Sequence, residues 1–306
     1  MNQSPTTRLR DASLQAATRR HDELMAEARR IIDAGNGREV VLRLTGGLAV
    51  RHYAIDLEFA ERDYSDIDLI GLRLQAPEIG ELFAALGYVE NMDVATATTF
   101  SQRQFFRRPR HLESHAHMPK RGHFAPAQTG AAALDHVDVF LDAMNMDHRL
   151  DFRDRLHNNT YAIDPADLFL SKLQIQKLNA KDAHDVISLC KDVYVDFEPR
   201  PGVLDLEHVA QVTAADWGLY IDVMTSIDKV VERLEDYDLS PRECARITRT
   251  LELAQDMMTE HAKPLRWRLR ARIGKRLRWY NEIEEQFPGR SDADLVRSGG
   301  GAGAAP

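Results

Sequence analysis

Several features that mark whole classes of protein are scarce in this 306-residue chain. No apolar run approaches the roughly eighteen residues that suggest a membrane span, and residues 1–15 lack the apolar block of a secretory signal. The two cysteines, Cys190 and Cys244, stand singly in helical-looking sequence rather than in a paired framework. We therefore expect a cytoplasmic globular protein with no membrane span and no disulfide framework.

Net negative charge would argue against a nucleic-acid partner only if it were evenly spread, and it is not. The whole chain carries −8, yet eight Lys or Arg and no Asp or Glu lie between Lys263 and Arg278. Subtracting that +8 leaves −16 for the rest of the chain. The basic segment 263–278 is therefore a candidate surface for an anionic partner.

Hydrophobic periodicity divides the chain into a first half of strands and helices and a second half of helices. A charged helix over 6–34 ends at a glycine breaker, and strand, helix, strand and helix patterns follow at 38–46, 48–55, 64–72 and 76–88. The predicted organisation is an N-terminal helix at 1–37, a core at 38–160 with a loop insertion at about 103–130, a helical domain at 161–290 and a disordered tail at 291–306.

Three aspartates on two predicted strands form a candidate metal site. Residues i and i+2 of a strand share a face, so Asp66 and Asp68 project together while Ile67 and Leu69 face the core. Asp138 is likewise the polar residue of an otherwise apolar strand. Close carboxylates need a cation or a shared proton, and Mg²⁺ prefers oxygen ligands together with substrate phosphates. Three acids around two metal ions are typical of in-line displacement at phosphorus.

Two adjacent glycines precede the paired aspartates. Gly46 and Gly47 lie between a predicted strand and a predicted helix. Glycine N–H groups at the positive end of a helix are unhindered donors to phosphate. The glycines are therefore predicted to hold the phosphates that the metal ions bridge.

The order of these motifs resembles the nucleotidyltransferase superfold. TGG, SDIDL, HVDVF and the helical stretch DLFLSKLQIQKLNAKDAHDV follow one another over roughly residues 38–190. Within the superfold they are most similar to AbiEii-type nucleotidyltransferases, the toxin halves of abortive-infection systems. The resemblance implies an α+β fold, in which a nucleotidyltransferase-fold mixed sheet with flanking helices precedes an all-α C-terminal domain. One departure is Gly47, which stands where many relatives have a serine.

The resemblance also implies a function. It implies a Mg²⁺-dependent nucleotidyltransferase that moves a nucleoside monophosphate from an NTP to an acceptor and releases pyrophosphate. Two Mg²⁺ ions, or Mn²⁺ in their place, are the implied cofactors. The implied partners are an antitoxin protein and an RNA acceptor such as tRNA. The positive charge of segment 263–278 and of loop 103–123, which is not part of the family pattern, makes these two segments the candidate surfaces for the RNA. The implied catalytic and metal-binding residues are Asp66, Asp68 and Asp138, and the implied nucleotide-binding residues are Thr45, Gly46, Gly47, Ser65 and Lys172.

Other interpretations stay open. A non-catalytic nucleotide- or RNA-binding module could keep the same fold, and an adenylyltransferase of the antibiotic-modifying kind could use the same residues. The apolar stripe of the basic segment could pack on the helical domain, face RNA or DNA, or lie on a membrane surface. The loop histidines could bind a structural metal or belong to a mobile basic loop that guides a polyanionic acceptor. The stripe is Leu265, Leu269, Ile273 and Leu277, and the histidines are His111, His115, His117 and His123.

Overall fold

The computed structural model describes residues 5–107, 136–196 and 200–281 of the chain. Those ranges contain ten α-helices and nine β-strands. The helices are α1 Pro5–Asn36, α2 Gly46–Tyr53, α3 Ala76–Ala85, α4 Met92–Ala97, α5 Pro165–Leu173, α6 Ala180–Asp192, α7 Leu206–Ala215, α8 Trp217–Glu232, α9 Pro241–Glu260 and α10 Leu265–Ile273. The strands are β1 Leu42–Leu44, β2 Ile67–Gly71, β3 Tyr88–Glu90, β4 Gln102–Arg107, β5 Val137–Leu141, β6 Ala143–Asn145, β7 Arg149–Asp151, β8 Val195–Asp196 and β9 Leu204–Asp205.

A five-stranded mixed sheet, in the order β1-β2-β5-β4-β3, forms the centre of the first half. β2 and β5 are parallel, whereas the other neighbours pair antiparallel. Ile67 and Leu69 of β2 and Val137 and Val139 of β5 are fully buried, as expected for central strands whose apolar side chains face the core. The mixed sheet and its helices confirm the predicted α+β class.

The first predicted elements have different bounds from their sequence patterns. Of the strand predicted at 38–46, only Leu42–Leu44 forms a strand, which pairs with residues 69–71 of β2. β2 begins at Ile67, so Asp66 lies immediately before the strand rather than in it. The helix predicted at 48–55 begins at Gly46, so both glycines belong to its first turn.

The prediction of a loop from residue 103 is wrong for residues 103–107. These residues lie in β4, which pairs with both β3 and β5. Arg103 and Phe105 are both buried and alternate with more exposed residues, a strand pattern that the many cations of this stretch obscure in the sequence. Arg103 pairs with Glu90 at 2.6 Å, and the Phe105 ring stacks on Phe83. The rest of the predicted insertion, its four histidines and the tail at 291–306 lie outside the described residues.

The second half is largely helical, but the prediction of helices alone is wrong. Within residues 161–290, β8 and β9 form a short parallel pair between α6 and α7 in the chain. The hairpin of β6 and β7, directly after β5, belongs to the predicted core at 38–160. No helix in the described ranges combines the length and the hydropathy that a bilayer crossing requires.

One hydrophobic core joins the two halves. A single cluster of buried apolar side chains runs from Leu24 in α1 to Met258 in α9. α2 packs against β2 on one side and against α5 and α6 on the other. The glycine turn that begins α2 is therefore fixed between the sheet and the helical half.

Candidate active site

Asp68 of β2 and Asp138 of β5 are direct neighbours across the parallel strand pair. Register partners in such a pair project from the same face of the sheet, so the two carboxylates lie side by side while Ile67 and Val137 face the buried side. Asp66 lies one residue before β2. The structure thus brings the three predicted acids together, although only two of them belong to strands.

The three carboxylates are close enough to change one another's ionisation. The pKa of Asp68 is raised to about 7, first because the carboxyl is withdrawn from water and then because Asp66 and Asp138 place negative charge beside it. Lys172 and His136 oppose this rise. Asp68 therefore carries a proton for part of the time at neutral pH unless a cation offsets the repulsion.

Asp138 has three partners that sequence patterns did not indicate. Its Oδ1 accepts hydrogen bonds from Nε2 of Gln102 at 3.2 Å and from Nε2 of Gln104 at 3.1 Å, both on β4. Its Oδ2 lies 3.0 Å from Nε2 of His136, and this hydrogen bond raises the pKa of His136. The alternation of the two glutamines would have indicated this contact had residues 102–107 been recognised as a strand next to β5.

Gly46 and Gly47 begin α2 directly beside the carboxylates. Gly46 has φ +65°, and a Cβ added there would overlap the Asp68 carboxylate, so only glycine allows this close approach. A Cβ at Gly47 would instead overlap the Arg62 guanidinium. Arg62 therefore occupies the space that a side chain at position 47 would need. It is a cation of this site that the sequence motifs do not identify.

Thr45 and Ser65 use their hydroxyls within the protein. Thr45 is fully buried, with Oγ1 donating to Met144 Sδ at 3.7 Å and the backbone N–H donating to the Asp68 carbonyl at 3.0 Å. Both hydrogen-bond donors of Thr45 therefore have partners within the protein. Thr45 also makes no capping bond to the first turn of α2. Ser65 is exposed and donates to Oδ1 of Asp66 at 3.3 Å.

Lys172 is held by two aspartates of α6. Its Nζ lies 3.0 Å from Oδ1 of Asp182 and 2.8 Å from Oδ2 of Asp185, and Nε of Arg62 donates to Oδ1 of Asp185 at 2.7 Å. Burial opposes the charge of Lys172, but Asp185 and Asp182 raise its pKa. Burial likewise opposes the charge of Asp185, and the two cations hold its pKa below the usual value. Lys172 also lowers the pKa of Asp68, so its charge reaches the carboxylate group.

The donor chemistry of the three carboxylates suits Mg²⁺. Asp66, Asp68 and Asp138 offer only oxygen, and their mutual repulsion is relieved by a bound cation. Among the residues that the structure describes, no group of three or more His, Cys, Asp or Glu side chains is already arranged to hold a metal ion. The three carboxylates therefore have the ligand chemistry that Mg²⁺ prefers. To bind the ion, Asp138 would give up a hydrogen bond to a glutamine or to His136.

Comparison with known protein families gives no match, and comparison with curated proteins gives no significant relative. The resemblance to nucleotidyltransferases therefore stays a prediction, and the geometry around Asp68 is what supports it.

Proposed function

We propose that this protein is a nucleotidyltransferase that moves a nucleoside monophosphate from an NTP to an acceptor and releases pyrophosphate. The observation that carries the proposal is the grouping of Asp66, Asp68 and Asp138 against the glycine turn that begins α2. An all-oxygen donor set next to unhindered backbone N–H groups suits a substrate in which a hard cation and phosphate are bound together.

The carboxylates are the proposed metal ligands. Asp66, Asp68 and Asp138 would hold two Mg²⁺ ions, or Mn²⁺ in their place, because clustered carboxylates supply the oxygen ligands that these cations prefer. When bound, the ions supply positive charge that polarises the transferred phosphoryl group and stabilises the leaving pyrophosphate. Asp68 then stays ionised, since its like-charge neighbours are neutralised.

The remaining groups of the site bind and orient the reactants. The N–H groups of Gly46 and Gly47 meet the triphosphate at the positive end of α2, and the Arg62 guanidinium beside Gly47 adds a charged donor. Asp138 accepts the proton of the attacking hydroxyl, while His136, 3.0 Å from its Oδ2, orients the carboxylate. The acceptor oxygen bonds to the α-phosphorus as the bond to the bridging oxygen breaks, and pyrophosphate leaves.

RNA, with tRNA as the leading example, is the acceptor that the resemblance implies, and an antitoxin is the implied protein partner. The proposed RNA contacts have less support than the metal site. Residues 103–107 of the loop meant to guide the acceptor belong to β4. The acceptor is therefore proposed only as a hydroxyl- or phosphate-bearing molecule, with RNA to be tested first.

Transfer of label from each of the four α-labelled NTPs tests the proposal. The purified protein is incubated with MgCl₂ or MnCl₂ and with total cellular RNA, and both label on RNA and released pyrophosphate are measured. Wild-type protein is expected to transfer label from at least one NTP. Asp68→Asn and Asp138→Asn are expected to lose about a hundredfold or more of the activity.

Asp63→Asn is the matched control, because Asp63 is an exposed aspartate close to Asp66 in the chain and lies outside the carboxylate group. It should keep wild-type activity. Equal transfer by Asp68→Asn and wild-type protein would overturn the proposed site. The protein could instead bind an NTP but release no pyrophosphate with any acceptor or either metal. That result would assign the chain to a non-catalytic nucleotide-binding role.

A further inference from the structure

α10 turns an aliphatic stripe toward solvent. At about 100° per residue, Leu265, Leu269 and Ile273 fall within about 80° of one another around the helix. These residues are 64%, 49% and 41% exposed, and Leu277, just beyond the helix, is 58% exposed. The interpretation that this stripe packs on the helical half is therefore wrong. Aliphatic side chains exposed side by side along one helix form a candidate contact surface for a partner.

Arginines flank the stripe on both sides. By the same helical geometry, Arg266 lies on one flank and Arg268 and Arg272 lie on the other. All three are exposed, as are Lys275 and Arg276 just after the helix. No Asp or Glu occurs anywhere in residues 263–281. The solvent-facing side of α10 is thus apolar along its centre and positive along both edges.

The tryptophans of the segment face the protein rather than solvent. The Trp267 ring packs edge-on against Tyr220 of α8, with centroids 5.3 Å apart. Trp279 donates from Nε1 to the Asp222 carboxylate at 3.0 Å. Rings engaged in this way do not form a stacking platform for bases. The aliphatic side chains that are exposed instead suit the boundary between lipid headgroups and acyl chains.

We infer from this face that α10 binds the surface of a membrane rich in anionic lipid, lying along the interface. The aliphatic stripe enters the acyl boundary and the flanking arginines meet the lipid phosphates. A nucleic acid would explain the arginines but would leave the exposed stripe without a role. The inference concerns a surface outside the proposed catalytic site and holds whether or not transfer activity is found.

Flotation of the full-length protein with lipid vesicles tests the inference. Wild-type protein is expected to float with vesicles of phosphatidylcholine mixed with phosphatidylglycerol, and to stay behind with phosphatidylcholine alone. A variant carrying Leu265→Ser, Leu269→Ser and Ile273→Ser keeps every cation, and its affinity for the anionic vesicles is expected to fall about tenfold or more. A variant carrying Arg266→Gln, Arg268→Gln and Arg272→Gln should weaken by a similar factor.

Leu74→Ser is the matched control, because Leu74 is 93% exposed and lies outside the basic segment. It should bind the vesicles as wild-type protein does, and circular dichroism checks that each variant is folded. A single-stranded RNA oligonucleotide is titrated in parallel. Failure of wild-type protein to bind anionic vesicles overturns the inference, as does full vesicle affinity in the aliphatic variant. RNA binding that depends on the arginines, without vesicle binding, would reassign the face to nucleic acid.

Discussion

Asp68 and Asp138 are register partners on adjacent parallel strands of the candidate site. Both side chains leave the same face of the sheet, so the backbone itself keeps the carboxylates together. With Asp66 one residue before β2, the pKa of Asp68 is raised to about 7 by burial and by the charge of its neighbours. Like charges held this closely call for a cation or a proton.

Replacing Asp68 by asparagine is expected to stabilise the fold at pH 8 while it lowers transfer activity by about a hundredfold or more. With its pKa raised from 3.8 to about 7, Asp68 holds its proton more tightly in the folded state than in the unfolded state. The contribution of Asp68 to folding stability is therefore complete below about pH 4. It is lost as the pH rises through about 7, because the folded state then has to release the proton. Asparagine has no proton to lose in this range, so the Tm of Asp68→Asn should exceed that of wild-type protein at pH 8. This difference in Tm should shrink as the pH falls.

Magnesium provides an internal control for the Asp68→Asn variant. A ligand that binds only the folded state raises its stability, so MgCl₂ should raise the Tm of wild-type protein at pH 8 and leave that of Asp68→Asn unchanged. Asp63→Asn, at an exposed aspartate, should respond to MgCl₂ as wild-type protein does. A lower Tm for Asp68→Asn than for wild-type protein at pH 8 would contradict the proposed repulsion.

Gly46→Ala is expected to destabilise the protein more than Gly87→Ala. Both glycines have positive φ, +65° and +86°, so either alanine pays a backbone cost of about 1 kcal/mol. A Cβ at Gly87 has no neighbour within 4 Å, whereas a Cβ at Gly46 overlaps the Asp68 carboxylate. The additional loss at Gly46, about 1–3 kcal/mol, is read from urea unfolding midpoints. Equal losses would show that Gly46 does not touch Asp68.

Features that depend on a local period could be predicted from the sequence. Asp68 and Asp138 alternate with buried aliphatic residues, so their shared orientation followed from the strand pattern alone. The helix at α1 and the glycine turn at the start of α2 followed from equally local signals. The alternation along β2 and β5 is compatible with their parallel pairing. That the two strands become neighbours is decided by the hydrophobic core that they share with other elements.

Features that depend on distant partners could not be predicted in this way. The charge of Arg103 alone predicts a solvent-exposed side chain. Its burial depends on the ion pair with Glu90 on the neighbouring strand, which the local sequence does not indicate. Arg62 reaches the glycine turn while paired with Asp185, 123 residues away in the chain. The stripe of α10 predicted a helix, but which side faces solvent is decided by the contact of Trp267 with α8. Tertiary contacts set all three outcomes.

Lys172→Met is expected to lower the free energy of unfolding by about 2–4 kcal/mol, because it leaves Asp182 without its ion pair and Asp185 with Arg62 alone. Lys181→Met is the matched control. Lys181 and its partner Asp63 are both exposed and 3.7 Å apart, so its loss should cost less than about 0.5 kcal/mol. Urea unfolding of the three proteins measures the difference. A cost at Lys172 as small as that at Lys181 would contradict the buried ion cluster.

His148 is expected to make the stability of the helical half depend on pH. It is 2% exposed, its Nε2 lies 2.8 Å from Oδ2 of Asp222, and its Nδ1 lies 3.8 Å from Oδ2 of Asp216. Burial opposes its charge, but the two carboxylates outweigh burial and raise the pKa of His148 from 6.5 to about 9. A raised histidine pKa stabilises the fold fully below about pH 6.5, and this contribution is lost as the pH rises through about 9.

Comparison of His148→Gln with wild-type protein between pH 6 and pH 10 isolates this contribution. The variant should be less stable by about 3 kcal/mol at pH 6, and the difference should shrink toward zero above about pH 9 as the wild-type imidazolium loses its proton. Trp279, which donates to the same Asp222 carboxylate, gives a fluorescence signal for unfolding. His157→Gln, at an exposed histidine, should follow wild-type protein throughout. Parallel pH profiles for wild-type protein and His148→Gln would mean that folding does not shift the pKa of His148, which would contradict its stabilisation by Asp216 and Asp222.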